Sequence, residues 1–456
     1  MLRTLPHGFT PTWICRESPL FRLLSGIDRE ILRSIHTAAL GGVLERSKRG
    51  LYDCLHERFA SSAAKLWALK ILNICLARRH FETRSTAVLS RPIGLVIDPS
   101  NMCQLGCPGC VHSENSALPA RFEWPKGTLS EERLSALLRR YGPYAIGVNF
   151  YNYGEPLLNV RTPAFIQEAK RYGLTTALST SLSVRRFDPL AYVESGLDSM
   201  VLSIDGATQR VYEQFRRGGD LELVVENIRR LVEARRALKR RTPILLWNFL
   251  VFEHNAHELR MAERLARRLG VDVFHAQVPF DISWDDSRIR PLKVRERFRR
   301  LHWAHLLADR SPLSAGVDAE AIDVEFERPW SEFAGDAEAG DKAPASGHAC
   351  HWLYKNIVMD ATGRILPCCG APPPDGSLVF GQFDLQSDDP FNTRQYTRAR
   401  SFFSAGNVGA GDAPHCVRCD WDHTKVNIGG REIRRYFRGA DPAFFDQRSL
   451  RILADW

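Results

Sequence analysis

The chain of 456 residues contains no uninterrupted apolar run approaching the roughly 18 residues that a membrane span requires. Its opening stretch, Met1-Leu-Arg-Thr-Leu-Pro-His-Gly, lacks the continuous apolar core of a secretory signal. Together these absences argue against a membrane span and point to a cytoplasmic protein. There is also no nucleic-acid-binding motif and no basic stripe interleaved with aromatics, so no nucleic-acid partner is expected. The charge is uneven all the same. Residues 1–90 hold 14 Lys+Arg against 7 Asp+Glu, a difference of +7 within a net +9 for the chain. A solvated helical face accounts for this; an anionic surface or an acidic substrate is the alternative. Apolar residues make up 44%, as in an ordinary globular protein, and the length allows two or three domains.

Cysteine is not scarce. Of 11 cysteines, Cys15, Cys54 and Cys75 stand alone and read as small core side chains. The other eight form two groups, and in a reducing compartment such grouping means metal or catalysis rather than disulfides. The first group is Cys103-Gln-Leu-Gly-Cys107-Pro-Gly-Cys110. It follows Ile93–Asp98, an apolar, β-branched run that reads as a buried strand. Three thiolates on one short loop are expected to converge on one point. A closed zinc site wants four protein ligands, as does a fully protein-ligated iron–sulfur cluster. Three ligands leave a metal position open to a small molecule. Spacing alone leaves a zinc knuckle, or three unrelated thiols, as alternatives.

Residues 1–90 read as helical, with apolar residues at helical spacing in Leu20–Ile35 and Ala63–Arg79. The second stretch is expected to pack on the next domain; a partner-binding or membrane-surface helix is the alternative. From residue 91 the pattern alternates. Strands are expected at Ile93–Asp98, Ala145–Tyr151, Leu174–Ser179, Met200–Ile204, Pro243–Val251 and Val271–Val278. Helices are expected at Ser130–Tyr141, Thr162–Arg171, Pro189–Ser195, Gln209–Phe215, Leu221–Leu238 and His257–Leu269. Thr128-x-x-Glu131 and Asn255-x-x-Glu258 are candidate helix starts. Six βα units imply a parallel sheet with right-handed crossovers. That is two short of a closed eight-stranded barrel, and a doubly wound sheet fits the count too. Either places chemistry at the carboxyl ends of the strands.

The Cys103–Cys110 loop after a first strand resembles that of the radical S-adenosylmethionine (radical SAM) superfamily, and further motifs strengthen the likeness. Tyr153-Gly-Glu-Pro156 follows the second strand and resembles the family's Gly-Gly-Glu-Pro element, with Tyr153 in place of the first glycine. The resemblance implies that Gly154 and Glu155 hold the amino group of S-adenosylmethionine. Ser179-Thr-Ser-Leu182 follows the third strand; the resemblance implies that it lies near the SAM ribose or methionine, with Ser181 at a position relatives often fill with Asn, and a strand-end turn is the alternative. Ser203-Ile-Asp-Gly-Ala-Thr208, then Tyr212 and Arg216-Arg-Gly-Gly-Asp220, resemble enzymes of this superfamily with SPASM-type extensions. There the Ser and Arg contact the SAM carboxylate, roles that carry to Ser203 and Arg216, with Arg217 as neighbour; a guanidinium suits the task. Asp205 is expected to cap the following helix. Many relatives carry an aromatic residue before the third cysteine, where this chain has Gly109.

Beyond the sixth strand, Asp281, Trp284, Asp285 and Asp286 lie near the expected substrate mouth, as substrate contacts or as a solvated loop. Ser331–His348 reads as a linker. The second cysteine group is Cys350, Cys368, Cys369, Cys416 and Cys419. Met359–Leu366 reads as a hairpin able to carry such ligands. The group resembles a shortened SPASM or twitch domain in which Cys350, Cys368, Cys416 and Cys419 hold one auxiliary 4Fe–4S cluster, leaving Cys369 over. A zinc ribbon is the alternative.

The expected architecture is a partial (β/α)6 TIM-like barrel over residues 91–280. A helical extension covers 1–90, linker and substrate-side loops cover 281–348, and a small cysteine-rich C-terminal domain covers 349–456. The resemblance implies a 4Fe–4S cluster on Cys103, Cys107 and Cys110, SAM as cofactor, and an electron donor such as flavodoxin or ferredoxin. It implies reductive cleavage of SAM to a 5′-deoxyadenosyl radical that abstracts hydrogen from substrate. A polar small molecule, a carbohydrate-like one among the candidates, and a net oxidation are the preferred expectation. Peptide maturation is the alternative, and a zinc-stabilised binding protein is the non-enzymatic one.

Overall fold

The computed structural model describes residues 80–113, 125–279, 288–292, 350–369, 379–385 and 389–404, the backbone of 302–306, and single positions between 70 and 77. Most of the expected N-terminal helices, Asp281, Trp284, Asp285, Asp286, the linker Ser331–His348, Cys416 and Cys419 lie outside the described residues. No helix among those described is long and apolar enough to cross a membrane.

All six expected strands form, each close to its expected span. They are β1 (Gly94–Ile97), β2 (Gly147–Asn149), β3 (Thr175–Thr180), β4 (Ser199–Ser203), β5 (Ile244–Leu250) and β6 (Val273–Gln277). Between them run α1 (Glu131–Tyr141), α2 (Thr162–Arg171), α3 (Pro189–Glu194), α4 (Gln209–Phe215), α5 (Leu221–Ala237) and α6 (Leu259–Leu269). Each of β1 to β6 pairs in parallel with its sequence neighbour. That consecutive order decides between the two expected architectures. A doubly wound sheet reverses its strand order at a switch point, whereas consecutive parallel strands wind a barrel. The described sheet does not close, so the barrel is partial.

Four further strands extend this sheet: β7 (His302–Leu306), β8 (Asn356–Met359), β9 (Arg364–Leu366) and β10 (Gly381–Gln382). β7 pairs antiparallel with β6, inside the span expected to be linker and loops. β8 pairs in parallel with β1, from Gly94↔Asn356 to Ile97↔Met359. The expected hairpin therefore forms, as β8 and β9, and it continues the barrel sheet. Gly363 turns it at φ 93°, a conformation that suits glycine. Helices α7 (Trp352–Lys355) and α8 (Arg394–Ser404) flank this part.

The helix starts differ in detail from the sequence expectation. Ser130, not Thr128, caps α1, accepting from Arg133 N at 3.3 Å. Asp188 and Asp220 cap α3 and α5 in the same way. Asn255 makes no cap bond; its side chain binds the Phe252 N–H and the Asp205 and Leu250 carbonyls instead. Asp205 does not cap α4 either. The N–H groups of Ala207 and Thr208 donate to Glu258, at 2.6 and 3.1 Å. A carboxylate from the next βα unit thus serves that helix start.

The pleat separates two faces. Leu95, Ile97, Val148, Leu178, Met200, Leu202, Leu245, Trp247 and Phe274 belong to one large buried core with the helices. Residues of the alternate register face the other way, into the barrel. They form smaller apolar clusters, Leu246 and Val273 with Val201 and Ile244, and Val96, Val358 and Leu366 with Tyr153 and Trp352.

Candidate active site

The cysteine loop leaves the carboxyl end of β1 and is held at both ends. Asp98, fully buried at its root, accepts from the N–H groups of Asn152, Tyr153 and Gly154 at 2.8, 3.1 and 3.3 Å. Three successive N–H groups aimed at one carboxylate make an anion nest, which fixes the β2 loop beside the β1 loop. Burial pushes Asp98 up to about 7 against the pull of those N–H groups. Asn101 anchors the same root to the C-terminal hairpin, its Oδ1 accepting from Ala361 N at 2.8 Å. Gly154 is required by packing: a Cβ there would lie 1.6 Å from the Ser100 carbonyl oxygen.

Further along, Gln104 Nε2 donates to Ser181 Oγ at 3.0 Å and to the Ser183 carbonyl at 2.9 Å. Gly106 N donates to the Arg217 carbonyl at 3.1 Å. His112 Nε2 lies 3.0 Å from the Tyr153 carbonyl oxygen, to which its N–H donates. Gly109 sits at φ 74°. An aromatic side chain at that φ is strained, which explains its absence before Cys110.

Cys107 is buried, and Cys103 and Cys110 are half-buried. All three pack in one cluster with Leu105, Phe215, Phe252 and Ile289. Burial pushes the Cys103 thiol up to about 12, with Glu155, Cys107 and Cys110 adding to it. Burial pushes Cys107 up to about 11, opposed by the Arg216 guanidinium. Buried thiols of this kind ionise when a metal supplies the positive charge. The three are neighbours, but they do not converge on one point as expected. Among the described residues no three His, Cys, Asp or Glu side chains gather around a single ion. In an iron–sulfur cluster each thiolate takes its own iron, so soft donors standing apart along an apolar wall fit a cluster.

The other expected site residues surround this loop. Glu155 is buried, and both oxygens are in use. Oε1 accepts from Leu157 N at 3.2 Å and Thr180 Oγ1 at 2.6 Å; Oε2 accepts from Ser181 N at 2.9 Å and Ser181 Oγ at 2.8 Å. Burial raises its pKa while these four bonds pull it down. Ser181 thereby ties the β2 and β3 loops together and accepts from Gln104. Ser203 ends β4, its Oγ 3.3 Å from Ser179 Oγ. Arg216, on the loop after α4, donates from Nε to Asp205 Oδ2 at 2.5 Å and from Nη1 to Cys107 Sγ at 3.9 Å. Asp205 also accepts from Leu250 N at 2.6 Å. Its role is structural, as expected, but it orients Arg216 rather than capping a helix.

Cys350, Cys368 and Cys369 are described, without a disulfide among them. Burial raises the pKa of the Tyr153 hydroxyl, and Cys368, Cys369, Asp98 and Cys110 are near enough to add to it. On the barrel-facing register, Ser203, Asn248 and His275 align across β4, β5 and β6. Gln277 Nε2 donates to Asn248 Oδ1 at 3.2 Å, and Asn149 shares this face by register. The face carries amides, hydroxyls and an imidazole, and no carboxylate, Lys or Arg on β1 to β6.

Sequence reasoning passed over Asp98, Gln104, Glu258 and the amide pair Asn248–Gln277. Gln104 alone had a local signal, its place between two cysteine ligands.

Residues 97–274 match the family model described as Radical SAM superfamily. Among solved structures, the chain is similar to Streptococcus suis SuiB bound to S-adenosylmethionine, at 14% identity and a TM-score of 0.43, over 84% of this chain and 78% of that one. It is similar to anSMEcpe with bound AdoMet, at 15% identity and a TM-score of 0.43, over 80% and 100%. It is also similar to BtrN in complex with AdoMet and 2-DOIA, at 12% identity and a TM-score of 0.38, over 74% and 96%. The family match spans the cysteine loop and strands β2 to β5.

Proposed function

We propose that this protein is a radical SAM enzyme acting on a polar, uncharged small molecule, carbohydrate-like in its hydroxyl content, for a net oxidation. The observation that carries the reading is the three-cysteine loop at the mouth of a barrel whose described inward face on β1 to β6 carries amides, hydroxyls, an imidazole and apolar side chains, and no carboxylate, Lys or Arg. Cys103, Cys107 and Cys110 would hold a 4Fe–4S cluster, which, with a donor such as flavodoxin or ferredoxin, would supply the electron for cleavage of SAM to methionine and a 5′-deoxyadenosyl radical. Ser203 and Arg216 would hold the SAM carboxylate. The Gly154–Glu155 segment borders the ammonium, and the Glu155 charge lies beside Cys103. Ser181 would fix that segment to β3. Phe215, Phe252 and Leu105 keep water from the thiols. Asn149, Asn248 and Gln277, all half-buried, would orient substrate hydroxyls, because a site built to hydrogen-bond a hydroxyl disfavours a molecule that lacks it. Cys350, Cys368, Cys416 and Cys419 would hold an auxiliary 4Fe–4S cluster that accepts the substrate electron.

The test is anaerobic reconstitution with iron and sulfide, then dithionite and SAM with perdeuterated sugars and cyclitols as probes. Deuterium should appear in 5′-deoxyadenosine with at least one of them. Transfer from perdeuterated peptides, and from no sugar or cyclitol, would move the assignment to peptide maturation. Zinc in place of iron would remove it from the superfamily's chemistry.

A further inference from the structure

Arg216 reaches a cluster ligand as well as the place where SAM is expected. Its guanidinium is anchored by Nε to Asp205, which is fully buried, and its own side chain is 14% exposed. Its Nη1 then points at Cys107 Sγ, and its Cζ lies 5.0 Å from the centre of the Phe215 ring. Phe215 packs against Phe252 with the rings tilted by 45° and their centres 4.6 Å apart, and both belong to the apolar wall around Cys107. A positive charge is thus held beside one thiolate in a setting poor in water, where charge acts strongly. Hydrogen bonds to cluster sulfurs, net charge and exposure set the potential of an iron–sulfur centre.

From this geometry we propose that Arg216 is a positioning residue that sets the reduction potential of the Cys103/Cys107/Cys110 cluster, with Asp205 holding it in place. The guanidinium favours the reduced, more negative cluster and so makes it easier to reduce. The carboxylate at Asp205 limits that gain and fixes the direction of the N–H. This inference rests on the cluster reading above. It adds a second task for Arg216, present before SAM binds.

The test is a redox titration of the reconstituted full chain, without SAM, followed by electron paramagnetic resonance. The proteins are wild type, Arg216→Gln, Arg216→Lys and, as a control, Arg210→Gln, which removes an exposed charge from α4. Iron is counted first in each. Arg216→Gln should lower the reduced-to-oxidised ratio at a fixed solution potential by about tenfold, a negative shift of about 59 mV for one electron. Arg216→Lys should keep most of the wild-type ratio, because the charge remains. Arg210→Gln should match wild type, because solvent screens that charge. Equal midpoints for wild type and Arg216→Gln, each with a full cluster, overturn the inference and leave the function intact. Loss of the cluster in both Arg216 variants overturns it in favour of an assembly role. A wild-type protein that binds no iron removes the function as well.

Discussion

Tyr153 Oη donates to the carbonyl oxygen of Cys369 at 3.2 Å, while the Tyr153 carbonyl accepts from His112 just past the third cysteine of the loop. One residue therefore links the Cys103–Cys110 loop to the Cys368–Cys369 end of the hairpin. It stands where the family motif has its first glycine. Its ring packs with Val96, Val358, Leu366 and Trp352 across the β1–β8 seam.

Replacing Tyr153 should separate these contributions. Tyr153→Phe keeps the ring and loses one hydrogen bond, a cost of about 1 kcal/mol. Tyr153→Gly restores the family residue but removes the ring, and should cost about 3 kcal/mol or more. Urea unfolding of the three proteins checks the order. If the glycine variant is as stable as wild type, the tyrosine is not a seam residue.

Glu155 should prove as important to the fold as to the cofactor. Glu155→Ala leaves the N–H groups of Leu157 and Ser181 and the hydroxyls of Thr180 and Ser181 without their acceptor. Each buried orphan costs about 1–3 kcal/mol, so the alanine variant should be recovered mostly unfolded. Glu155→Gln keeps one good acceptor and should stay folded. Circular dichroism melts of both variants decide the point. An alanine variant that melts with wild type would mean that these four bonds contribute little.

The strands and helices were legible in the sequence because each obeys a local rule. Val201 and Leu202 alternate between faces, and Phe165, Ile166 and Ala169 repeat at helical spacing on α2. The cysteine loop was legible because its spacing is itself the signal. What stayed hidden depends on residues distant in sequence. Glu258 serves the α4 start across 50 residues, so nothing near Thr208 announces it. Asn101 meets Ala361 across 260 residues, which is why the hairpin read as part of a separate domain when it is an edge of the barrel sheet. Ser130, not Thr128, caps α1 because Thr128 is held in an antiparallel bridge with Ser100 and Leu129 N donates to the Pro99 carbonyl.

Asp98 gives a pH signature with a definite sign. Its native pKa is pushed up to about 7, above an unfolded carboxyl near about 4. Between those values the native state binds the extra proton, so stability should fall as pH rises through the window and level off above it. The slope from this group is at most about 1.4 kcal/mol per pH unit. Asp98→Asn cannot titrate and should lack that part of the slope. Urea midpoints for both proteins from pH 4.5 to 8 test this. Parallel curves would show that the buried carboxyl stays ionised throughout.

The second cysteine group decides between an auxiliary cluster and a zinc ribbon, and the two separate on metal content. With two four-iron clusters the reconstituted chain should hold about eight irons. Replacing Cys103, Cys107 and Cys110 together with Ala should abolish 5′-deoxyadenosine formation and leave about four irons, on Cys350, Cys368, Cys416 and Cys419. Cys369 should be dispensable for those four. It is adjacent to Cys368, and successive side chains of extended backbone point to opposite sides; its carbonyl, rather than its thiol, is held by Tyr153. Cys416→Ala then distinguishes two roles for the cluster. As an electron acceptor, its loss should permit SAM cleavage and block the oxidised product. As a structural centre, its loss should lower the melting temperature, because metal binding is coupled to folding. Iron content, product and melting temperature of Cys416→Ala, measured together, give a different pattern for each role. A triple variant that retains zinc and no iron would exclude both and assign the group to a zinc ribbon.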